Sequence, residues 1–81
     1  FLSRGCAWAQ IGDWDKAITD FDEAVHLDRK SAWAFYNRGY ALMQKRQWED
    51  AIEDFDEAIQ LDPKHALAFY NRGRARAAQG E

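Results

Sequence analysis

Few side chains in this 81-residue sequence could do covalent or proton-transfer chemistry. His26, His65 and the single cysteine, Cys6, are the only groups suited to general-base or nucleophilic work near neutral pH. Catalysis needs such a group held against a partner. The two histidines fall at different points of the pattern set out below and read as ordinary surface residues. Cys6 has no histidine beside it in that pattern and reads as a small buried or half-buried thiol. The 14 acidic residues recur at helical spacing as a solvated stripe, and no His/Cys cluster has the spacing of a metal site. The glycines lack the spacing of a phosphate-binding loop. No catalytic residue, metal or cofactor is expected, and the chain is not expected to be an enzyme.

Recognition chemistry is better supplied. Trp33, Tyr36, Tyr40 and Tyr70 combine large apolar area with a polar handle, the composition that dominates interface hot spots. Asn37 and Asn71 carry amides able to clasp the backbone of an extended peptide. Arginine recurs at Arg4, Arg38 and Arg72, and aspartate at Asp20 and Asp54 and again at Asp22 and Asp56. Two readings stand for the arginines. Their stems cover core while their heads pair with these carboxylates, or they form a row that grips an acidic ligand.

The elements that must position these groups follow a fixed period. Gly5, Gly39 and Gly73 lie 34 residues apart, and at the same offset Trp14 meets Trp48, Ala17 meets Ala51, Phe21 meets Phe55 and Leu27 meets Leu61. Ala34-Phe35-Tyr36-Asn37-Arg38-Gly39 recurs almost unchanged as Ala68 to Gly73. Within a period the apolar residues are helical in spacing. Trp48, Ala51, Ile52, Phe55, Ala58 and Ile59 make one stripe, opposite Glu49, Asp50, Glu53, Asp54, Asp56 and Glu57. The other helix of the period is apolar on two faces, Phe35, Gly39 and Leu42 on one and Trp33, Tyr36, Tyr40 and Met43 on the second. Such a helix buries both faces or offers one to a partner.

Punctuation predicts five helices, near 2–11, 14–27, 33–45, 48–61 and 66–78. Asp13 and Ser31 are good N-caps, and Pro63 after Asp62 cannot continue a helix. Gly12 and Gly80 sit where a left-handed residue ends a helix, and Arg46 takes the place of such a glycine. A left-handed Arg46 costs roughly 1–2 kcal/mol relative to glycine.

Composition narrows the function further. A net charge of −3 argues against a nucleic-acid binder, and no apolar run approaches the roughly 18 residues of a membrane helix. No membrane partner is expected. There is no signal peptide pattern, and a soluble, cytoplasmic location is the weak default. The chain opens at Phe1 without Met and reads as a fragment of a longer array.

Together these features resemble the tetratricopeptide repeat, a 34-residue helix–turn–helix unit with the pattern W-x2-L-G-x2-Y, then A-x3-F, then P. The middle unit here reads Phe35-x2-Arg38-Gly39-x2-Leu42, then Ala51-x3-Phe55, then Ala58 and Pro63. Arginine stands where the family has leucine. The resemblance implies an all-α fold, a right-handed α-solenoid of antiparallel helix–turn–helix repeats. It divides the single domain 1–81 into a first repeat (1–31) lacking its opening residues, a second (32–65), and the first helix of a third (66–81).

In that family the first helices line a concave groove. The resemblance therefore implies a peptide- or protein-binding scaffold, with Trp33, Tyr36, Asn37, Tyr40, Met43, Gln44, Leu67, Tyr70, Asn71 and Arg74 in the groove. Leu2, Ser3, Cys6, Ala9 and Gln10 extend it from the first helix. The competing reading packs Tyr36 and Tyr70 between neighbouring first helices. Some family members clamp a C-terminal carboxylate with lysine, asparagine and arginine; the matching positions here hold Leu2, Cys6, Asn37, Leu67 and Asn71, and only Asn37 fits. All acidic residues but Glu81 lie on or beside the second helices, and only Lys16 of the basic ones lies inside them. The expected ligand has apolar anchors and an acidic group near Arg74. The alternative function is a structural module, a homo-oligomer whose open ends stack on other copies.

Overall fold

The computed structural model describes residues 1–80, with Glu81, the last residue of the expected third-repeat segment (66–81), outside them. Helices α1 (Leu2–Gln10), α2 (Trp14–Leu27), α3 (Ala32–Gln44), α4 (Trp48–Leu61) and α5 (Ala66–Gln79) follow in order, and no strand occurs among the described residues. Their ends fall within a residue of the sequence expectation.

Local chemistry fixes the turns. Asp13 Oδ1 accepts from the Lys16 amide and Ser31 Oγ from the Ala34 amide, each capping the helix that follows. Gly12 (φ 80°) and Arg46 (φ 64°) are both left-handed. The next amide in each case, Asp13 or Gln47, reaches back to the carbonyl of Trp8 or Leu42 at 3.0 Å. This is the hydrogen bonding of a Schellman turn, so Arg46 makes the same turn as glycine at a conformational cost. Gly80 differs from expectation: at φ −75° it stays right-handed, and its amide bonds to the Arg76 carbonyl as the helix runs out. The two longer turns match each other although one holds Arg29 and the other Pro63. In both, an extended aspartate (Asp28, Asp62) accepts on Oδ1 from the amide two residues on.

Packing is periodic. Phe21 and Phe55 are fully buried, flanked by the equally buried Ala17, Ala51 and Ala58. A Cβ on Gly39 would stand 2.9 Å from the Phe55 ring and 3.1 Å from the Ala51 carbonyl oxygen, so the close crossing of α3 and α4 admits only glycine there. Every helix packs on its chain neighbour; α1 with α3 and α3 with α5 also approach, while α2 and α4 do not. The odd-numbered helices therefore converge on the inner side of a curve and the even-numbered ones splay outward. The result is a solenoid-like stack of helix hairpins.

Candidate functional site

The inner surface is built on α3, with α1 and α5 as its walls. Its aromatic groups form a connected row. Trp33 meets Tyr36 edge-on at 5.5 Å between ring centroids, Tyr36 lies 6.3 Å from Tyr40, and Tyr40 lies 6.0 Å from Trp14. Along α3, Trp33 is 53% exposed, Gln44 is exposed, and Asn37 and Tyr40 are half-buried. On α5, Leu67 is exposed, Tyr70 is 64% exposed and Arg74 is exposed.

Three of the expected groove residues are turned into the fold. Tyr36 and Met43 are buried in the core cluster with Phe55, Ala68 and Ala75, because α5 closes over that face of α3. Asn71 is buried as well. Its amide donates to the Tyr36 hydroxyl (3.0 Å) and to the Leu67 carbonyl (3.1 Å), and its own oxygen accepts from Arg74 (3.2 Å). Burial raises the Tyr36 hydroxyl above its ordinary value, the nearby Tyr40 adds to this, and the Asn71 donation opposes it. Asn71 thus fixes α5 to α3, whereas its repeat mate Asn37 remains half-buried at the surface.

Two shallow cavities of about 240 Å³ open on this side. One lies between α1 and α3, lined by Cys6, Ala9, Gln10, Phe21, Tyr36, Asn37 and Tyr40. The other lies between α3 and α5, where Met43, Gln44 and Arg74 meet Trp48. A larger space of about 440 Å³ sits at the α1–α2 turn, bordered by the ion pair of Lys45 and Asp15, and holds none of the expected residues. Arg74 lies over the Tyr70 ring at 5.7 Å and has no carboxylate partner among the described residues.

The repeating arginines face the other way, into the seams between paired helices. Arg4 grips Asp20 with Nε and Nη2 (2.8 and 2.6 Å), and Arg38 grips Asp54 in the same fork (2.8 and 2.7 Å). Arg38 also reaches back through Nη1 to Asp22 (3.2 Å), and Arg72 through Nη1 to Asp56 (2.7 Å). The Arg4 hydrogen bonds hold the Asp20 carboxyl below its ordinary range. Burial pushes Asp54 the other way, with Arg38 opposing and the neighbouring Asp22 and Asp50 reinforcing it.

His65 departs from the surface role expected of it. It is 5% exposed, and its Nδ1 accepts from the Ala68 amide (3.3 Å) as the N-cap of α5, the place Ser31 holds for α3. Its ring stands edge-on to Trp33 at 4.5 Å. The 34-residue offset from Ser31 was the available signal. Among the described residues no group of three His, Cys, Asp or Glu side chains could hold a metal ion, and no helix is long and apolar enough to cross a membrane.

A family model described as "Tetratricopeptide repeat" matches residues 32–65, and one described as "TPR repeat" matches residues 5–45. None of the curated proteins matches the chain. Among solved structures, the second TPR of Spaghetti (RPAP3), bound to the HSP90 peptide SRMEEVD, is similar at 30% identity and a TM-score of 0.95, over 98% of this chain and 73% of that one. The second TPR domain of human RPAP3, in complex with the HSP70 peptide SGPTIEEVD, is 31% identical with a TM-score of 0.92, over 96% of this chain and 65% of that one. The Arabidopsis OM64 TPR domain is 28% identical with a TM-score of 0.95, over 96% of this chain and 64% of that one. The chain thus spans under two thirds of the latter two structures.

Proposed function

This chain belongs to the tetratricopeptide repeat family, and we propose that it is an interaction module that holds a peptide segment of another protein along its concave face. The observation that carries this reading is the exposure of Trp33 on α3 and Tyr70 on α5, with half-buried Tyr40 between the walls, beside an arginine, Arg74, that no described carboxylate neutralises. An apolar side chain of the peptide enters the cavity between α1 and α3, beside Tyr40. Asn37 bonds the peptide backbone, and an acidic residue pairs with Arg74. Trp33, Tyr70, Leu67 and Gln44 flank the track, while Tyr36, Met43 and Asn71 support it from beneath.

Binding of acidic peptides by the RPAP3 relatives supports the class of ligand. The manner of capture differs in this reading. At the positions matching the family's terminal-carboxylate clamp, Leu2, Cys6 and Leu67 bring no charge, and Asn71 is engaged with Tyr36. Recognition therefore rests on apolar anchors and internal acidic groups, with moderate dependence on salt.

Fluorescence anisotropy with labelled SRMEEVD, free and C-terminally amidated, tests this. Amidation should change Kd by no more than about twofold, as expected for a charge left in solvent. Replacing Trp33 and Tyr40 together by alanine should weaken binding by about tenfold or more, the scale of a lost aromatic anchor. Unchanged affinity in that double variant would remove the groove assignment.

A further inference from the structure

Among the described residues, one buried side-chain polar atom has no hydrogen-bond partner, Nε2 of His65. The residue is 5% exposed, and its Nδ1 accepts from the Ala68 amide at 3.3 Å. That bond needs a lone pair on Nδ1 and so assigns the proton of the neutral imidazole to Nε2. The ring is closed in by two aromatic groups of α3, Trp33 edge-on at 4.5 Å and Tyr36 at 5.0 Å between centroids. An aromatic ring is a weak acceptor, so the buried N–H keeps most of the cost of a hydrogen bond left unmade. Its repeat mate Ser31 caps α3 with a hydroxyl and is only half-buried, so the hidden donor belongs to the α4–α5 junction alone.

We infer that this N–H is a further subsite of the groove, hidden behind Trp33, and that its ligand is the side-chain carboxylate of an acidic residue in the bound peptide. The inference rests on the groove reading above. Trp33 keeps 53% of its surface in water, so solvent gives its ring room to turn aside. The carboxylate then takes the place of the ring and accepts from Nε2. Three observations favour a charged acceptor over a neutral one. The first turn of α5 carries no acidic residue, so the positive end of that helix is uncompensated. Lys64, exposed on the adjoining turn, has no carboxylate partner among the described residues. Asp62, the carboxylate of that turn, already accepts from the Lys64 amide. From position 65 to position 74 of α5 is about 13 Å, a distance that three or four residues of extended peptide cover with their side chains. One peptide with two acidic groups at that spacing engages His65 and Arg74 together.

C-terminally amidated SRMEEVD is the probe, titrated into the intact chain while long-range 1H–15N spectra follow the ring nitrogens of His65. In the free chain the proton should sit on Nε2, and with peptide the Nε2 resonance should shift to saturation. His65→Ser keeps a hydroxyl cap, as at Ser31, and removes the donor. It should weaken the peptide about tenfold, the scale of a charge-assisted hydrogen bond. Against a peptide whose acidic residues are all replaced by their amides, the same substitution should change affinity by less than about twofold. A purely capping role would give equal losses with the two peptides. An Nε2 resonance that stays in place at saturation, unchanged affinity in His65→Ser, or equal losses with both peptides would each overturn the subsite and leave the groove assignment to the Trp33 and Tyr40 double variant. No binding of the peptide to the parent chain would remove both.

Discussion

The seam between α3 and α4 and the inner row of α3 and α5 use different sides of α3, and their side chains are engaged to different degrees. In the seam, Arg38 has three ion-paired hydrogen bonds, Phe55 has no exposed surface and Gly39 has no room for a methyl group. Along the inner row, Trp33 and Tyr70 leave more than half their surface in water, and Arg74 touches Asn71 and the Tyr70 ring without a carboxylate partner among the described residues. Both regions carry aromatic and arginine residues, so residue type alone does not separate architecture from recognition. Engagement does: a group whose bonds are complete holds the fold, and a group with bonding capacity left over can hold a ligand.

Substitutions that exploit this contrast should act on stability in the seam and on binding in the row. The largest effect is expected from Phe55→Ala, which removes a ring with 0% exposure and should cost about 3–5 kcal/mol in urea unfolding. Arg38→Leu leaves Asp54 buried without its fork, with an expected loss of about 3 kcal/mol. The gap from the parent chain should narrow between low and high salt; a loss with no salt dependence would refute the pairing as its source.

Acid titration sharpens the comparison between two copies of the seam. The Asp20 carboxyl is held below its unfolded value, so its stabilisation is complete above about pH 4 and disappears as pH falls through the folded value. Asp54 is displaced upward by burial, so its contribution declines as pH rises through the range just above that. Asp20→Asn should therefore flatten the acid limb of stability and Asp54→Asn steepen it; equal slopes would show that the two sites are alike after all. The smallest stability change belongs to the row. Trp33→Ala should shift unfolding by about 0.5 kcal/mol or less, while peptide affinity falls. A larger shift would mean that the contact of Trp33 with His65 bears on the fold.

Much of this contrast can be read without coordinates. The 34-residue offset locates the hairpins, and the small residues Gly39, Ala51 and Ala58 mark where helices cross closely. Arg46 is assigned to a left-handed turn from its alignment with Gly12, and it adopts one. What the period cannot supply is the difference between copies. Asn37 and Asn71 sit in the same six-residue stretch, yet Asn71 donates to the Tyr36 hydroxyl one repeat back, whereas the residue in the same place one repeat before Asn37 is Leu2, which has no hydroxyl. His65 shares its position with Ser31 and does the same capping work through a ring nitrogen, a substitution that hydrogen-bond geometry allows and side-chain polarity disguises. Tyr36 and Met43 look like ligand contacts on a helical wheel. They are buried because the next inner helix covers them, which depends on the stacking distance between repeats.

The arginine bonds have one further consequence. Each spans 16 residues of chain, forward to the helix that follows or back to the one before. With helices meeting only first and second neighbours, no part of the molecule waits on a distant end of the chain to take shape. Such short loops favour rapid folding that can begin at either hairpin, and they let evolution lengthen or trim the array by whole units without rewiring those that remain.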